Sequence, residues 1–452
     1  MKQKIKRLFG CVIILCLTGI ILHKLGDLMQ RKDSDIKYAD FFQQEENFDV
    51  LFFGTSHVMN GVYPMELWED YGIVSYNFGG HDNRLATSYW VMKNALDYTT
   101  PKLVVIDVLA LEQQTKTSND FAYTHLSFDA FPLSVTKVQT MMDLLNDPFM
   151  EKEIVEEHAT DERARNLLYG LWDYSVYHSR WSELTAEDIR PTYSPEKGAE
   201  SRVDVAVPDM KTKVSREDKL NEETIGVLYL RKMIEECRER GIEVLLVNLP
   251  FPALEAQQRS ANRVYDIAEE YQVNYINFLD ENVIDYQTDL YDPGSHLNPS
   301  GARKVTSYLG QYIMEHYEIP NQKGNPAYGT WAEDNQKYFA MKKEMLRKQT
   351  DLDCYLMLLF DDQYISLLEI NDAALLEDDY YGNLLENMGI SIDGLGTDTD
   401  MLMVWPKTKL VECFENSHQS GFSHQTSLGN SAYLLTKAAS IITESRVAMG
   451  YI

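Results

Sequence analysis

Five cysteines in 452 residues are too few to staple a disulfide scaffold. Cys11 and Cys16 fall inside an apolar run, so only Cys237, Cys354 and Cys413 stand beyond it, enough for one disulfide at most. Basic residues are scarce as well: 42 Lys and Arg face 70 Asp and Glu, a net charge of −28. That balance speaks against a nucleic-acid partner, because neutralising phosphates needs a Lys/Arg surface. Long hydrophobic runs are missing after residue 22, which excludes a multi-span membrane protein. There is no internal repeat and no low-complexity tract. No Cys/His spacing suggests zinc and no glycine loop suggests a nucleotide, so no metal and no cofactor is expected. The acid-rich stretch from Asp393 to Asp400 lacks the ligand order of a calcium loop.

What is present is an ordinary globular composition, 44 % hydrophobic and 25 % charged. Its charge is unevenly spread. Residues 1–32 hold Lys2, Lys4, Lys6, Arg7, Lys24, Arg31 and Lys32 against a single acid, Asp27. Four of these cations precede the apolar run Leu8–Leu22, which predicts an export segment with the bulk of the chain outside the cell. No small-x-small cleavage site follows, and His23 and Lys24 can snorkel. The reading is an uncleaved anchor over residues 1–29, in the cell membrane and single-pass, followed by a polar tether over 30–47.

An α/β rhythm then begins. Strands are predicted at Asp49–Phe53, Val74–Phe78, Leu103–Val108, Glu243–Leu249 and Tyr275–Phe278. Helices are predicted at Pro64–Tyr71, Arg84–Tyr98, Glu223–Arg240, Ala256–Tyr271 and Pro299–Ile313. Continuous apolar strands alternating with helices imply a parallel sheet buried on both faces. Residues 112–222 interrupt the pattern and are too long for a structureless loop. Helices at Ser134–Asn146, Glu151–Tyr169 and Asp173–Glu183 make this a helical insertion. Residues 48–319 thus form one α/β domain and 320–349 a helical linker containing Thr330–Lys348. Between Asp351 and Asp400 there are thirteen acids and no Lys or Arg. That shift, with strands expected at Cys354–Phe360, Tyr364–Ile370 and Leu402–Trp405 and a helix at Asp379–Met388, marks 350–452 as a small accessory α+β domain.

Two pieces carry chemistry. The first strand runs into Gly54-Thr55-Ser56-His57, where a serine at a strand-to-helix turn presents its hydroxyl at the carboxyl edge of the sheet. Its own backbone amide, at a helix start, can face an oxyanion. Far downstream, Tyr291-Asp-Pro-Gly-Ser-His-Leu-Asn-Pro-Ser-Gly-Ala302 places His296 just before the last helix with Asp292 four residues ahead. One loop can thus supply a base and the carboxylate that orients it.

Together the text GTSHVMNGVYPMELWEDYGIVSYNFGG and the loop HLNPSGARKVT resemble the SGNH/GDSL hydrolase superfamily. The closer likeness is to its membrane-anchored branch in Gram-positive bacteria, related to DltD and the alginate acetylation factors. The resemblance covers about residues 48–315 and implies a flavodoxin-like sheet, Ser56 as nucleophile, His296 as its base and Asp292 as orienter. It departs from the family in three places. The family's Asp stands three residues before the His, which leaves Asp289 and Asp107 as alternative orienters. The Gly-x-Asn-Asp block is absent after the third strand, so the amides of Gly79 or Gly80 and the side chain of Asn83 are the candidate oxyanion donors beside Ser56. Thr55 stands where the name-giving motif has Asp. His57, and His178 with Arg180 on the insertion, are candidate substrate contacts.

The resemblance implies an extracytoplasmic serine esterase or O-acyltransferase. Its substrate would be an acylated cell-surface glycan or wall polymer, and a membrane-bound O-acyltransferase is the expected partner. The alternative is a non-catalytic binding or scaffold subunit of a surface-polymer modification complex. The missing block, the acidic domain and the negative charge favour that alternative.

Overall fold

Short apolar runs become one parallel sheet. The computed structural model describes residues 2–29, 38–44, 46–118, 121–147, 159–172, 175, 177–189, 193–294, 296–359, 366–370, 399–405, 412–417, 422–428, 431–437 and 447–451. Its strands β1 (Val50–Gly54), β2 (Ser75–Gly79), β3 (Leu103–Asp107), β4 (Glu243–Asn248) and β5 (Asn274–Asn277) lie in the order β2-β1-β3-β4-β5. Every pairing is parallel; Val50 stands opposite both Ser75 and Leu103, and Leu103 opposite Glu243. The first three strands are buried along their whole length, which is why they read as unbroken apolar runs. All five begin within one residue of their predicted starts.

The chain moves one way from β1 to β2 and the other way from β2 to β3. Right-handed crossovers therefore put α3 (Pro64–Tyr71) on one face and α4 (Leu85–Ala95) on the other. Cys237 of α9 (Ile225–Glu239) meets Met92 of α4, their sulfurs 3.7 Å apart. On α11 (Pro299–His316), Thr306 accepts a bond from Tyr63 N just before α3. The helix after β4, α10, spans Glu255–Tyr271. α2 (Ser56–Gly61) is the short turn directly after β1.

The edge strand β2 is covered. The Asn77 amide donates to the Lys197 carbonyl, and the adjoining Gly198 has φ +83°, a conformation glycine adopts without strain. From Tyr38 onward the residues expected as a polar tether are docked by their aromatic rings. A 3-10 helix, Ala39–Gln43, sets Phe41 against Phe78 and Tyr76, with ring centroids 5.0 and 5.3 Å away, and Phe42 lies edge-on to Phe131. Ahead of it α1 (Lys2–Met29) contains the apolar window Phe9–Gly26, of mean hydropathy 2.0 and 6 % buried. That window is about 27 Å long, close to the thickness of a bilayer's hydrocarbon core.

The insertion carries α5 (Phe121–Leu126), α6 (Val135–Leu144), α7 (Ala159–Leu171), a 3-10 turn His178–Ser182 where a longer helix was expected, and α8 (Ala186–Ile189). The beginning of the expected helix Glu151–Tyr169 lies outside the described residues.

The chain divides into two compact units, residues 1–201, 210–283 and 302–339 in one, and 202–209, 284–301 and 340–452 in the other. α12 spans Gly329–Lys348. In the second unit the expected strand Cys354–Phe360 is a helix, α13 (Leu352–Leu359). Asp351 Oδ1 accepts from Cys354 N at 3.0 Å and caps it. Met357 and Leu358 pack with Leu346, and Val203 and Val205 lie against them. A short apolar run has no period of its own, so the cap and the packing partner decide its form. Beyond it β6 (Ser366–Ile370), β7 (Thr399–Trp405), β8 (Glu412–Ser417) and β11 (Val447–Tyr451) form an antiparallel sheet ordered β11-β6-β7-β8, and β9 (Phe422–Leu428) pairs with β10 (Ser431–Lys437). The expected helix Asp379–Met388 lies outside the described residues.

Candidate functional site

A doubly wound sheet gathers ligands where the strand order reverses, here between the carboxyl ends of β1 and β3. β1 ends at Gly54, and Thr55, in extended conformation, caps α2 by accepting from His57 N at 3.1 Å. Ser56 is the first helical residue and is half-buried. Gly54 is required because a Cβ there would lie 2.7 Å from Asp107 Cβ. The His57 ring is buried edge-on against Phe251, with centroids 4.9 Å apart.

The two glycine amides expected to hold an oxyanion are committed elsewhere. Gly79 N donates to Asn77 Oδ1 at 2.8 Å, and Gly80 N to the Gly54 carbonyl at 3.2 Å. Asn77 in turn donates to the Val58 and Val62 carbonyls at 2.7 Å each, clamping α2 against β2. The glycines serve close packing: a Cβ on Gly79 would stand 2.2 Å from Met59 N, and one on Gly80 2.3 Å from Asn83 Nδ2.

Buried to 2 % exposure, Asn83 accepts from Ser127 Oγ at 2.7 Å, and its side chain also meets the Tyr38 hydroxyl. The neighbouring Tyr38 hydroxyl, raised far above the ordinary phenol range by burial, donates to the Phe78 and Gly79 carbonyls.

Asp107 ends β3 at 1 % exposure. Burial pushes its carboxyl up to about 7, against the pull of the Leu249, Leu109 and Val108 amides, and its Oδ2 has no hydrogen bond. The native chain thus holds a proton that the unfolded chain releases near pH 4. This contribution to stability is complete below pH 4 and is lost as pH rises to about 7. Asp107→Asn should be more stable relative to the native chain at pH 8 than at pH 5, by at most about 3 kcal/mol. Urea denaturation at the two pH values measures it; an equal difference at both would refute a proton held there.

The second unit holds the histidine loop. Leu290 and Leu297 form an antiparallel bridge, and Tyr291 N donates to the His296 carbonyl at 3.0 Å. At the tip, Asp292 Oδ1 accepts from Gly294 N at 2.9 Å and His296 N at 3.3 Å, and Oδ2 meets His296 Nδ1 at 2.5 Å. The Tyr291 ring lies nearly parallel to the imidazole, 14° apart. The four-residue spacing is therefore accommodated by a turn built on Asp292 itself. Of the alternative orienters, Asp289 is fully buried and accepts from Ser300 Oγ, Thr288 Oγ1 and Asp285 N. It braces the loop together with Asn298, whose Nδ2 donates to the Thr288 carbonyl at 2.8 Å and whose Oδ1 accepts from Ser300 N and Gly301 N. Asn298 was not singled out in the sequence; an Asn-Pro pair opening a helix was its signal.

A carboxylate only accepts, so in the neutral ring Nδ1 carries the hydrogen and Nε2 is left as the proton acceptor. The structure thus brings Asp292 and His296 together in the second unit, and places Ser56 and Asn83 in the first. His178 is exposed, with Nδ1 against the Ser175 carbonyl at 3.1 Å. Arg180 is bound to the Met29 carbonyl and to Asp188, at the end of α1. No protein-family model and no curated protein sequence matches this chain.

Proposed function

We propose that this chain is an SGNH-type serine esterase or O-acyltransferase. It is anchored by α1, with its bulk outside the cell, and acts on acylated surface glycan or wall polymer. The observation that carries the reading is the imidazole held by a carboxylate, His296 Nδ1 to Asp292 Oδ2 at 2.5 Å, on the loop that opens the last helix of an α/β sheet. Ser56 at the sheet's switch point supports it.

In this reading Ser56 Oγ attacks the acyl carbonyl while His296 Nε2 takes its proton. The tetrahedral oxyanion faces the Ser56 amide and Asn83 Nδ2. The proton passes to the departing oxygen, leaving Ser56 acylated. His296 then deprotonates water or a polymer hydroxyl, which attacks the ester and returns the proton to Ser56. Water gives deacylation and a sugar hydroxyl gives transfer, with a membrane-bound O-acyltransferase as the supplier of acyl groups.

A fluorophosphonate probe tests the nucleophile. Labelling of the native chain that vanishes in Ser56→Ala supports the enzyme. No labelling of a folded chain assigns it instead to the scaffold role. The topology has its own check: protease added outside intact cells should digest all but an N-terminal membrane-retained fragment.

The second unit adds a condition on activity. Ala206 N donates to the Leu290 carbonyl at 2.9 Å and Asn298 Nδ2 to the Asp204 carbonyl at 3.2 Å, while Val203 and Val205 rest on the Leu346–Met357–Leu358 cluster. α13 therefore braces the segment that braces the histidine loop. A chain ending at residue 349 should label about 10²-fold more slowly than one ending at residue 365, since small misplacements of a base are costly. Equal rates would show that the loop stands without α13.

A further inference from the structure

The insertion is tied to the end of the apolar helix. Both the 3-10 turn His178–Ser182 and α8 pack against α1. Arg180 Nη1 donates to the Met29 carbonyl at 2.5 Å, and Nη2 pairs with Asp188 at 3.0 Å. A helix leaves its last carbonyls without partners, and a guanidinium there also suits the helix dipole.

Met29 lies three residues past the apolar window that ends at Gly26, about 4.5 Å further along the axis. The headgroup zone outside each face of the hydrocarbon core is roughly 5–7 Å deep. With α1 spanning the bilayer, Arg180 is at headgroup depth by geometry. Trp181 beside it is 69 % exposed, and Ile189, next to its partner Asp188, is 70 % exposed. An outward-facing tryptophan at this height matches the side chains that settle at a membrane interface, and the exposed isoleucine adds apolar area beside it.

We propose that Trp181 and Ile189 form a second membrane contact, seated in the interfacial zone of the leaflet from which α1 emerges. The occupant is lipid and not a protein because the pair is continuous with the spanning helix through the Arg180–Met29 bond. The contact is apolar in origin: the charge of Arg180 is engaged by Asp188, and Glu183 in the same turn is exposed. It therefore needs no anionic lipid. Two attachments restrict the swing of the first unit about α1, so acceptors at or near the membrane surface are the ones it meets.

The test uses the full chain reconstituted into phosphatidylcholine vesicles with brominated acyl chains, which quench tryptophan at the membrane. The fluorescence of the native chain should be partly quenched, and Trp181→Phe should remove most of the quenched component. Trp68, Trp90 and Trp331 are buried in the first unit and should contribute little. Adding Ile189→Trp to Trp181→Phe should restore quenching. Protein that stays with the vesicles in alkaline carbonate but shows no quenching, or quenching that Trp181→Phe leaves unchanged, overturns this contact alone and returns the exposed pair to a protein partner. Protein released by carbonate overturns the spanning helix and this proposal together. Neither outcome touches the serine-esterase reading, which the fluorophosphonate label decides.

Discussion

Ser56→Ala and His296→Ala should each lower turnover of an aryl acetate by about 10⁴-fold or more, and the double variant should be scarcely worse than either. A nucleophile and its base act as one unit, so removing either removes the same step. Asp292→Asn belongs with them. Both Asp292 oxygens are in use, one on Nδ1 and the other on the backbone of the turn, and Asp289 is buried among other partners. No second carboxylate of this loop is positioned to replace it. The amide would donate to Nδ1 and favour the wrong tautomer, so a loss approaching 10⁴-fold is expected. Asn83→Ala should lower turnover by about 10²–10³-fold through the lost oxyanion donor. Steady-state rates with thermal melts alongside check all four. If His296→Ala leaves turnover within tenfold of the native chain while Ser56→Ala abolishes it, His296 is not the base.

Gly79→Ala should cost more than about 3 kcal/mol, beyond the usual range for overpacking. The added Cβ would stand 2.2 Å from Met59 N and 2.8 Å from both Met59 Cα and the Thr55 carbonyl. These atoms are backbone, in the turn that carries Ser56, and cannot rotate away. Gly241→Ala is the control: its φ is +70° and nothing lies within 4 Å of the new atom, so only backbone strain of about 1–2 kcal/mol applies. Urea midpoints should separate the two variants clearly. A Gly79→Ala chain within 1 kcal/mol of native would mean that α2 can move off β2 at little cost, contrary to the clamp that Asn77 makes.

How much of this was legible in the sequence depends on what each residue contacts. A strand buried on both faces needs apolar side chains on both, so β1 to β4 could be read within a residue or two without knowing their partners. Pro64 at a helix start and Gly72 after its end bracket α3, and its predicted bounds hold as they stand. Asp292 and His296 share one short loop, so their pairing was within reach of spacing alone.

Other features needed tertiary contacts. The Gly79 and Gly80 amides looked available because a sequence does not show that Asn77 folds back onto one and the Gly54 carbonyl onto the other. Asp107 became a buried acid because β3 is central and its end is covered. The run Cys354–Phe360 is helix and not strand because Asp351 caps it and Leu346 and Val203 supply a face to bury. Residues 38–47 read as part of a polar tether in composition, yet their aromatic rings find Tyr76 and Phe78. Arg180 was read as a substrate contact, but the end of α1 and Asp188 claim its guanidinium. The sequence determined the strands of the parallel sheet and the helices between them, because burial and capping are local demands on residue type. The tertiary structure decided which polar groups remained open, because a hydrogen bond is spent by whichever partner the fold brings near.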